Sequence, residues 1–315
     1  MKLAQKGRDK SPMSTSSPEM VEPSEIVGVP SLETLQELTR QLRIDILNMI
    51  FEAQSGHPGS SLSCIDILTC LWTVIMNHDP KNPDWSERDR FVLSKGHGAP
   101  ALYAILMHTG YIPREEIHTL RQVHSNLQGH PASKYVKGVD VSTGSLGQGL
   151  SAAIGMALGL RLNKSAAHVY CLIGDGESQE GQIWEAALSA PGHKLGNITA
   201  ICDRNSLQID GCTEDIKPLG DIARKFESFG WNVLEIDGHD FQQIIDSLVL
   251  AKKMSREQNR PSMIVATTVK GKGVSFMENQ AGWHGKAPNK EQFELALKDL
   301  EPETYFRRLS ENQAS

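Results

Sequence analysis

The run Gly174-Asp175-Gly176-Glu177, followed downstream by Asn205-Ser206-Leu207, holds residue types that could bind a cation and a phosphate together. The five residues before it, Val169-Tyr170-Cys171-Leu172-Ile173, are apolar and β-prone and read as a buried strand. Asp175 therefore stands where a strand ends and a Gly-lined turn begins. The apolar run Ile198 to Cys202 reads as a second strand and delivers Asn205 just past its end. Two oxygen ligands at the C-terminal ends of neighbouring parallel strands can share one hard cation. The crevice at those strand ends is where open α/β sheets bind ligands. Gly176 lets a phosphate approach bare backbone N–H groups. Asp-Gly is also a common turn dipeptide. The spacing of 30 positions (205 − 175) leaves room for one helix and one strand, and it turns the reading toward a Mg²⁺-bridged diphosphate.

Four histidines have a similar setting: Gly56-His57, Gly96-His97, Gly129-His130 and His284-Gly285, each in a predicted loop. A lone loop histidine is commonly a solvated residue. Four beside glycine, which lets the chain turn sharply and leaves the ring accessible, are harder to dismiss together. Imidazoles hydrogen-bond hydroxyls and phosphates and move protons near neutral pH. A zinc hydrolase would also use several histidines, but its His-Glu-x-x-His helix signature is absent. Sugar hydroxyls are the better match. Thr143-Gly144-Ser145-Leu146-Gly147-Gln148-Gly149 precedes a helix, so its amides could face a ligand or serve tight packing. It does not match the dinucleotide fingerprint. Val269-Lys270-Gly271-Lys272-Gly273 resembles a phosphate-facing loop without Walker spacing.

The elements that must position these residues follow from periodicity. Ser31 is an N-cap, and Leu32, Leu35, Leu38, Leu42, Ile46 and Ile50 recur at helical spacing. Further helices are expected over 62–76, 99–108 and 147–162, with a strand over 90–94 and a long polar loop over 125–146. Strands at 168–173, 198–202, 231–236 and 262–269 then alternate with helices near 179–190, 221–228 and 241–254. That alternation argues an α/β fold, a doubly wound and mainly parallel sheet flanked by helices. Residues 290–310 read as a surface helix and tail.

The 315 residues are 39% hydrophobic and 22% charged, enough for a sizeable core, and the net charge of −6 disfavours a large nucleic-acid surface. No stretch is expected to span a membrane. Five cysteines without metal-finger spacing read as reduced thiols of a cytoplasmic protein. Residues 1–30, rich in Ser, Pro, Glu and Lys, read as a disordered tail with no secretory signal.

Together the segments resemble the transketolase family at its N-terminal, diphosphate-binding half. The matching runs are Ser-Gly-His-Pro-Gly at 55–59, Leu-Ser-Lys-Gly-His at 93–97 and Gln-Gly-His-Pro at 128–131. Then come Thr-Gly-Ser-Leu-Gly-Gln-Gly at 143–149, Gly-Asp-Gly-Glu-Ser-Gln-Glu-Gly at 174–181, Asn-Ser-Leu at 205–207 and Gly-Trp-His-Gly at 282–285. They stand in the family's order over roughly residues 31–290. The resemblance implies thiamine diphosphate with Mg²⁺, for which Ca²⁺ or Mn²⁺ could substitute. Asp175 and Asn205 would bind the metal by side chain and Leu207 by its carbonyl. Ser60, Lys95, His97, Gly176, Asn205, Lys270 and His284 would lie near the diphosphate. Gly144, Ser145 and Leu146 would contact the thiamine. His57, His130 and His284 would hold sugar oxygens and assist proton transfer, and Glu180 would sit at a subunit interface. Ser145 stands where many members have Pro, and Arg204 where an Asp often precedes the ligand Asn.

The same resemblance implies a single diphosphate-binding domain over 31–315. A full transketolase continues into a pyrimidine-binding domain that supplies the Glu acting on the cofactor, and the sequence stops before it. The expectation is one subunit of a split transketolase, paired with a C-terminal subunit in an α2β2 assembly. It would move a two-carbon ketol unit between a ketose phosphate and an aldose phosphate, with no nucleic-acid or membrane partner. The alternatives are a subunit of another thiamine enzyme, of deoxyxylulose-phosphate synthase or 2-oxo acid dehydrogenase type, and a non-catalytic module retaining the fold.

Overall fold

A computed structural model describes residues 30–313; the expected tail lies outside the described residues but for its last position. Strands β1 (Arg90–Leu93), β2 (Val169–Gly174), β3 (Ile198–Arg204), β6 (Asn232–Asp237) and β7 (Ser262–Thr267) form one sheet, and the short β4 (Leu207–Gln208) and β5 (Gly211–Cys212) form a separate hairpin. The large sheet runs β1-β2-β3-β7-β6 with every pairing parallel. The doubly wound α/β expectation is met.

Every residue of β2 is buried. Tyr170 and Leu172 point into one apolar cluster, Val169, Cys171 and Ile173 into the other. Such two-sided burial is why the strand reads as an unbroken apolar run rather than an alternating one. Helices α1 (Leu32–Ala53), α2 (Pro58–Cys70), α3 (Ala99–His108) and α8 (Phe241–Gln258) cover the first face. Helices α4 (Gln148–Leu162), α5 (Gly181–Gly192) and α7 (Ile222–Phe229) cover the other, with the single turn α6 (Thr213–Ile216) after the hairpin.

Ser31 caps α1 as expected, its hydroxyl accepting from the Thr34 N–H at 3.2 Å. Helix α2 starts at Pro58, earlier than its apolar periodicity announces, and its end loosens into a π-helical turn over Leu71–Ile75. Pro at N1 loses no hydrogen bond there, because that N–H has no partner within the helix. Over 58–75 the chain is long and apolar enough to cross a membrane, contrary to the sequence reading, but 83% of that stretch is buried inside the fold. The C-terminal stretch forms two helices, α9 (Lys290–Asp299) and α10 (Pro302–Gln313), where one surface helix was expected. Ala296, Leu300 and Tyr305 anchor them in the core. The long loop over 125–146 contains no helix or strand, as expected.

Candidate active site

The C-terminal ends of β2 and β3 stand side by side, with Gly174 opposite Asp203 in the register. Asp175 follows directly. Its carboxylate accepts the Gly176 N–H at 2.7 Å and the Ser206 N–H at 2.5 Å. Ser206 adopts a left-handed φ of 60°, which swings the chain from β3 into the β4–β5 hairpin. That turn brings Asn205 and the Leu207 carbonyl to the same crevice as Asp175, and Asn205 Oδ1 accepts the Leu207 N–H at 3.2 Å. Sequence reasoning missed this hairpin, because two-residue strands carry no periodicity.

The floor of the crevice is a buried charge pair. Lys95 and Asp203 are in direct contact, their side chains 1% and 0% exposed. Lys95 Nζ also donates to the Ser60 carbonyl at 2.9 Å. Asp203 accepts from Ser63 Oγ at 2.6 Å, from the Thr268 hydroxyl, and from Asn205 Nδ2 at 3.3 Å. Burial alone would raise the Asp203 pKa, but Lys95 and the Ser63 and Thr268 hydroxyls outweigh it and hold the group ionised. The Asn205 amide is thereby oriented with its nitrogen toward Asp203 and its oxygen free of that carboxylate. Among the described residues Asp175 has only backbone donors in direct contact. Burial, then the nearby Asp203 charge, push its pKa up to about 6.

Lys270 reaches the crevice from the loop after β7. Its ammonium donates to the Leu207 carbonyl at 3.0 Å and lies 2.8 Å from His284 Nδ1. Burial and the Lys95 charge lower its pKa to about 8. The four Gly-flanked histidines converge above it. The His57 ring lies 5.3 Å from His97, 5.5 Å from His284 and 6.3 Å from His130, and His97 stacks on His284 at 5.1 Å. Burial, followed by neighbouring positive charge, lowers His57 to about 4 and His284 to about 3. At neutral pH both are uncharged, each with one donor and one acceptor nitrogen. His97 Nε2 is paired with Ser60 Oγ at 2.9 Å, and buried His57 Nδ1 has no hydrogen-bond partner among the described residues.

The loop Gly144–Gly147 closes one side. Gly144 and Gly147 have φ of 149° and 85°, conformations that side-chain-bearing residues resist. Gly149 lies so close to Ser94, the residue after β1, that a Cβ there would sit 2.4 Å from Ser94 Oγ. Glu177 ties the parts together by accepting from the Ser94 hydroxyl, the Gly147 N–H at 3.0 Å and the Gly174 N–H at 2.9 Å. Ser145 is exposed, Leu146 is 36% exposed above the crevice, and Glu180 is exposed at its rim as the N-cap of α5. Ser60, Lys95, His97, Leu146, Asp175, Gly176, Glu180, Asn205, Leu207, Lys270 and His284 all line one cavity of about 190 Å³. His57 and His130 stand against it through the imidazole cluster.

Among the described residues no group of three His, Cys, Asp or Glu is placed to hold a metal ion. Any cation here would be held by a mixed carboxylate, amide and carbonyl oxygen set, which suits a hard ion.

Residues 34–307 match the family profile described as the thiamine diphosphate binding domain of transketolase. The chain belongs to the transketolase family. It is 45% identical over 269 residues to the 6-deoxy-6-sulfo-D-fructose transketolase subunit SqwG of Clostridium sp. (strain MSTE9), covering 85% of this chain and 97% of that protein. It is 41% identical to an apulose-4-phosphate transketolase subunit of Phocaeicola vulgatus, covering 85% of this chain and 94% of that protein. Mouse transketolase is 40% identical, but this chain spans only 42% of it. The crystal structure of transketolase from Campylobacter jejuni superposes with a TM-score of 0.80 at 35% identity, over 86% of this chain and 43% of that one. The relatives named as subunits match this chain along nearly their whole length, and the undivided transketolases along less than half of theirs.

Thiamine diphosphate is the ligand of this domain family, and the residues present fit it. A buried carboxylate without a cation in contact, two further oxygen donors beside it, and an ammonium and imidazoles facing the same cavity form a suitable cradle. The orphaned His57 Nδ1 points to a polar ligand as well. Sequence reasoning gave no role to Asp203 or Glu177. Each is a charged residue inside or just after an apolar strand, a signal that a buried partner must exist.

Proposed function

We propose that this chain is the cofactor-binding subunit of a two-subunit transketolase, which transfers a two-carbon ketol unit from a ketose phosphate to an aldose phosphate. The reading rests on the convergence of Asp175, Asn205, the Leu207 carbonyl and Lys270 in one cavity beneath four imidazoles. Asp175, Asn205 and Leu207 would hold Mg²⁺, with Ca²⁺ or Mn²⁺ as substitutes. Gly176, Lys270, His97 and His284 would hold the diphosphate, with Ser60 and Lys95 beneath them. Gly144, Ser145 and Leu146 would bear on the thiamine. Bound there, the cofactor supplies the nucleophilic carbon and the electron sink for cleaving a carbon–carbon bond.

The chain's own residues orient and exchange protons. His57 and His284 are neutral at pH 7: His57 would exchange a hydrogen bond or proton with a sugar hydroxyl through Nε2, its Nδ1 being buried, and His284, whose Nδ1 accepts from the Lys270 ammonium, would donate from Nε2 to a sugar oxygen. His130, at the cavity mouth and with its pKa lowered by burial and by Arg121, would hold a more distal sugar oxygen. Lys270 offers positive charge to the diphosphate, and Leu146 offers an apolar surface that excludes water.

The cavity of about 190 Å³ is smaller than the range of roughly 300 Å³ upward typical of ligand pockets. A second polypeptide carrying the pyrimidine-binding domain would complete it, in a cytoplasmic α2β2 assembly with Glu180 at the boundary between the two chains. The two relatives named as subunits carry two different sugar names, 6-deoxy-6-sulfo-D-fructose and apulose-4-phosphate. The donor screen therefore includes both kinds beside common ketose phosphates, with pyruvate to separate other thiamine enzymes. With Mg²⁺ and thiamine diphosphate, the pair of chains should transfer a ketol unit and this chain alone should not. Robust turnover by the chain alone refutes the split-subunit reading, and a pyruvate-only donor profile refutes transketolase chemistry.

A further inference from the structure

Gly238-His239-Asp240 holds a Gly-flanked histidine that stands apart from the cluster of four. It follows β6 at the start of α8, and its ring is 10% exposed. The Val269 N–H donates to His239 Nε2 at 2.8 Å. Because Nε2 accepts, Nδ1 carries the proton, and it donates to Asp66 Oδ2 at 2.6 Å. Asp66, inside α2, also receives both arms of the Arg43 guanidinium at 2.9 and 2.7 Å. Burial would raise the Asp66 pKa, but Arg43 and the His239 bond hold it well below the usual carboxylate range. The carboxylate is therefore a fixed anion, and it fixes the tautomer of the ring in front of it.

The residue after Val269 is Lys270. The rest of its loop is tied as well: Gly271 N–H donates to the Gly59 carbonyl at 3.1 Å, and Arg43 Nε donates to the Lys272 carbonyl at 3.0 Å. Arg43 and Asp66 thus hold the loop from one side while His239 holds the peptide just before the lysine. Gly238 permits this closeness, since a Cβ there would sit 2.5 Å from Thr268 Cγ2. No other hydrogen bond to the Val269 N–H exists among the described residues.

We propose that His239 is a positioning residue for Lys270. Locked between Asp66 and the Val269 N–H, it sets the backbone that aims the Lys270 ammonium at the diphosphate-binding crevice. The inference rests on the cofactor reading above for what Lys270 meets there.

The test uses the full chain co-expressed with its pyrimidine-domain partner, and reads the dissociation constant of thiamine diphosphate with Mg²⁺ by calorimetry. His239→Phe keeps an aromatic ring and removes both hydrogen bonds, and it should weaken binding roughly tenfold. His239→Gln presents a donor and an acceptor at a similar separation and should restore affinity to within about threefold. Adding His239→Phe to Lys270→Met should cost nothing beyond Lys270→Met alone, because the lost interaction is already gone. Losses that multiply in the double variant, or a Gln variant as weak as Phe, overturn the proposal. Amide exchange over 269–272 in the full chain without cofactor gives a second readout. It should quicken in the Phe variant, be normal in the Gln variant, and leave the 263–265 strand amides unchanged. Unchanged exchange over 269–272 overturns the positioning role by itself. Failure of the unsubstituted complex to bind thiamine diphosphate overturns the cofactor reading instead.

Discussion

Replacing Asp203 by Asn is the sharpest test of how the crevice is built. The two atoms at stake, Lys95 Nζ and the Asp203 carboxylate, belong to side chains 1% and 0% exposed. The carboxylate has other donors in Ser63, Thr268 and Asn205, whereas among the described residues the ammonium has only the Ser60 carbonyl and Ser63 Oγ besides. Asp203→Asn therefore strands a buried cation with two neutral acceptors. Removing one partner of such a pair costs about 3–5 kcal/mol, a large part of the about 5–15 kcal/mol that stabilises a domain. Lys95→Met should cost less, since the carboxylate it leaves behind keeps its three donors. The double variant Lys95→Met/Asp203→Asn carries neither charge of the pair, and Asn retains hydrogen bonds to the hydroxyls. It should recover more than half of the loss. Urea unfolding of the full chain, followed by circular dichroism, gives the four values of the cycle. An Asp203→Asn cost below about 1 kcal/mol, or simple addition in the double variant, would show that the pair is not the buried, coupled unit described.

Three further outcomes are expected. Gly149→Ala puts a Cβ 2.4 Å from Ser94 Oγ and 2.6 Å from its Cα, so strand end and helix must part; the cost should be about 1–3 kcal/mol or more in a thermal melt, with weakened cofactor binding. The Asp175 pKa is raised to about 6 in the folded chain, so the folded state binds the extra proton and stability of the cofactor-free chain falls as pH rises from about 4 to 6. This amounts to at most about 3 kcal/mol, and Asp175→Asn should abolish that slope in urea titrations, whereas an unchanged slope assigns it to other groups. Tyr305→Phe removes the hydroxyl that Arg43 reaches at 3.2 Å and should cost about 1 kcal/mol without changing substrate preference.

Much of the fold is legible in the sequence because burial writes itself into residue order. The strands β2 and β3 are buried on both faces, so they appear as apolar runs, and Asp175 and Asn205 are conspicuous where those runs end. The Gly-flanked histidines are visible for a similar reason, since loops that bend sharply need glycine. Residues that act through one another are not legible. Lys95 and Asp203 are 108 positions apart, and only the β1-β2-β3 order places them in contact. His239 has the same Gly neighbour as the others, but its role depends on Asp66, a helix residue 173 positions away. The C-terminal helices read as a surface element because Tyr305 and Leu300 are too few to give α10 and its approach an apolar face in sequence.

The place of β7 in the sheet has a consequence for synthesis of the chain. It lies between β3 and β6, so the middle of the sheet is complete only once residues 262–267 have left the ribosome. Until then β3, buried along all but its last residue in the finished fold, offers an unpaired hydrogen-bonding edge. An exposed apolar edge of that kind recruits foreign strands. Nascent chains stalled before residue 262 should therefore be the aggregation-prone species, and the ones a chaperone would hold.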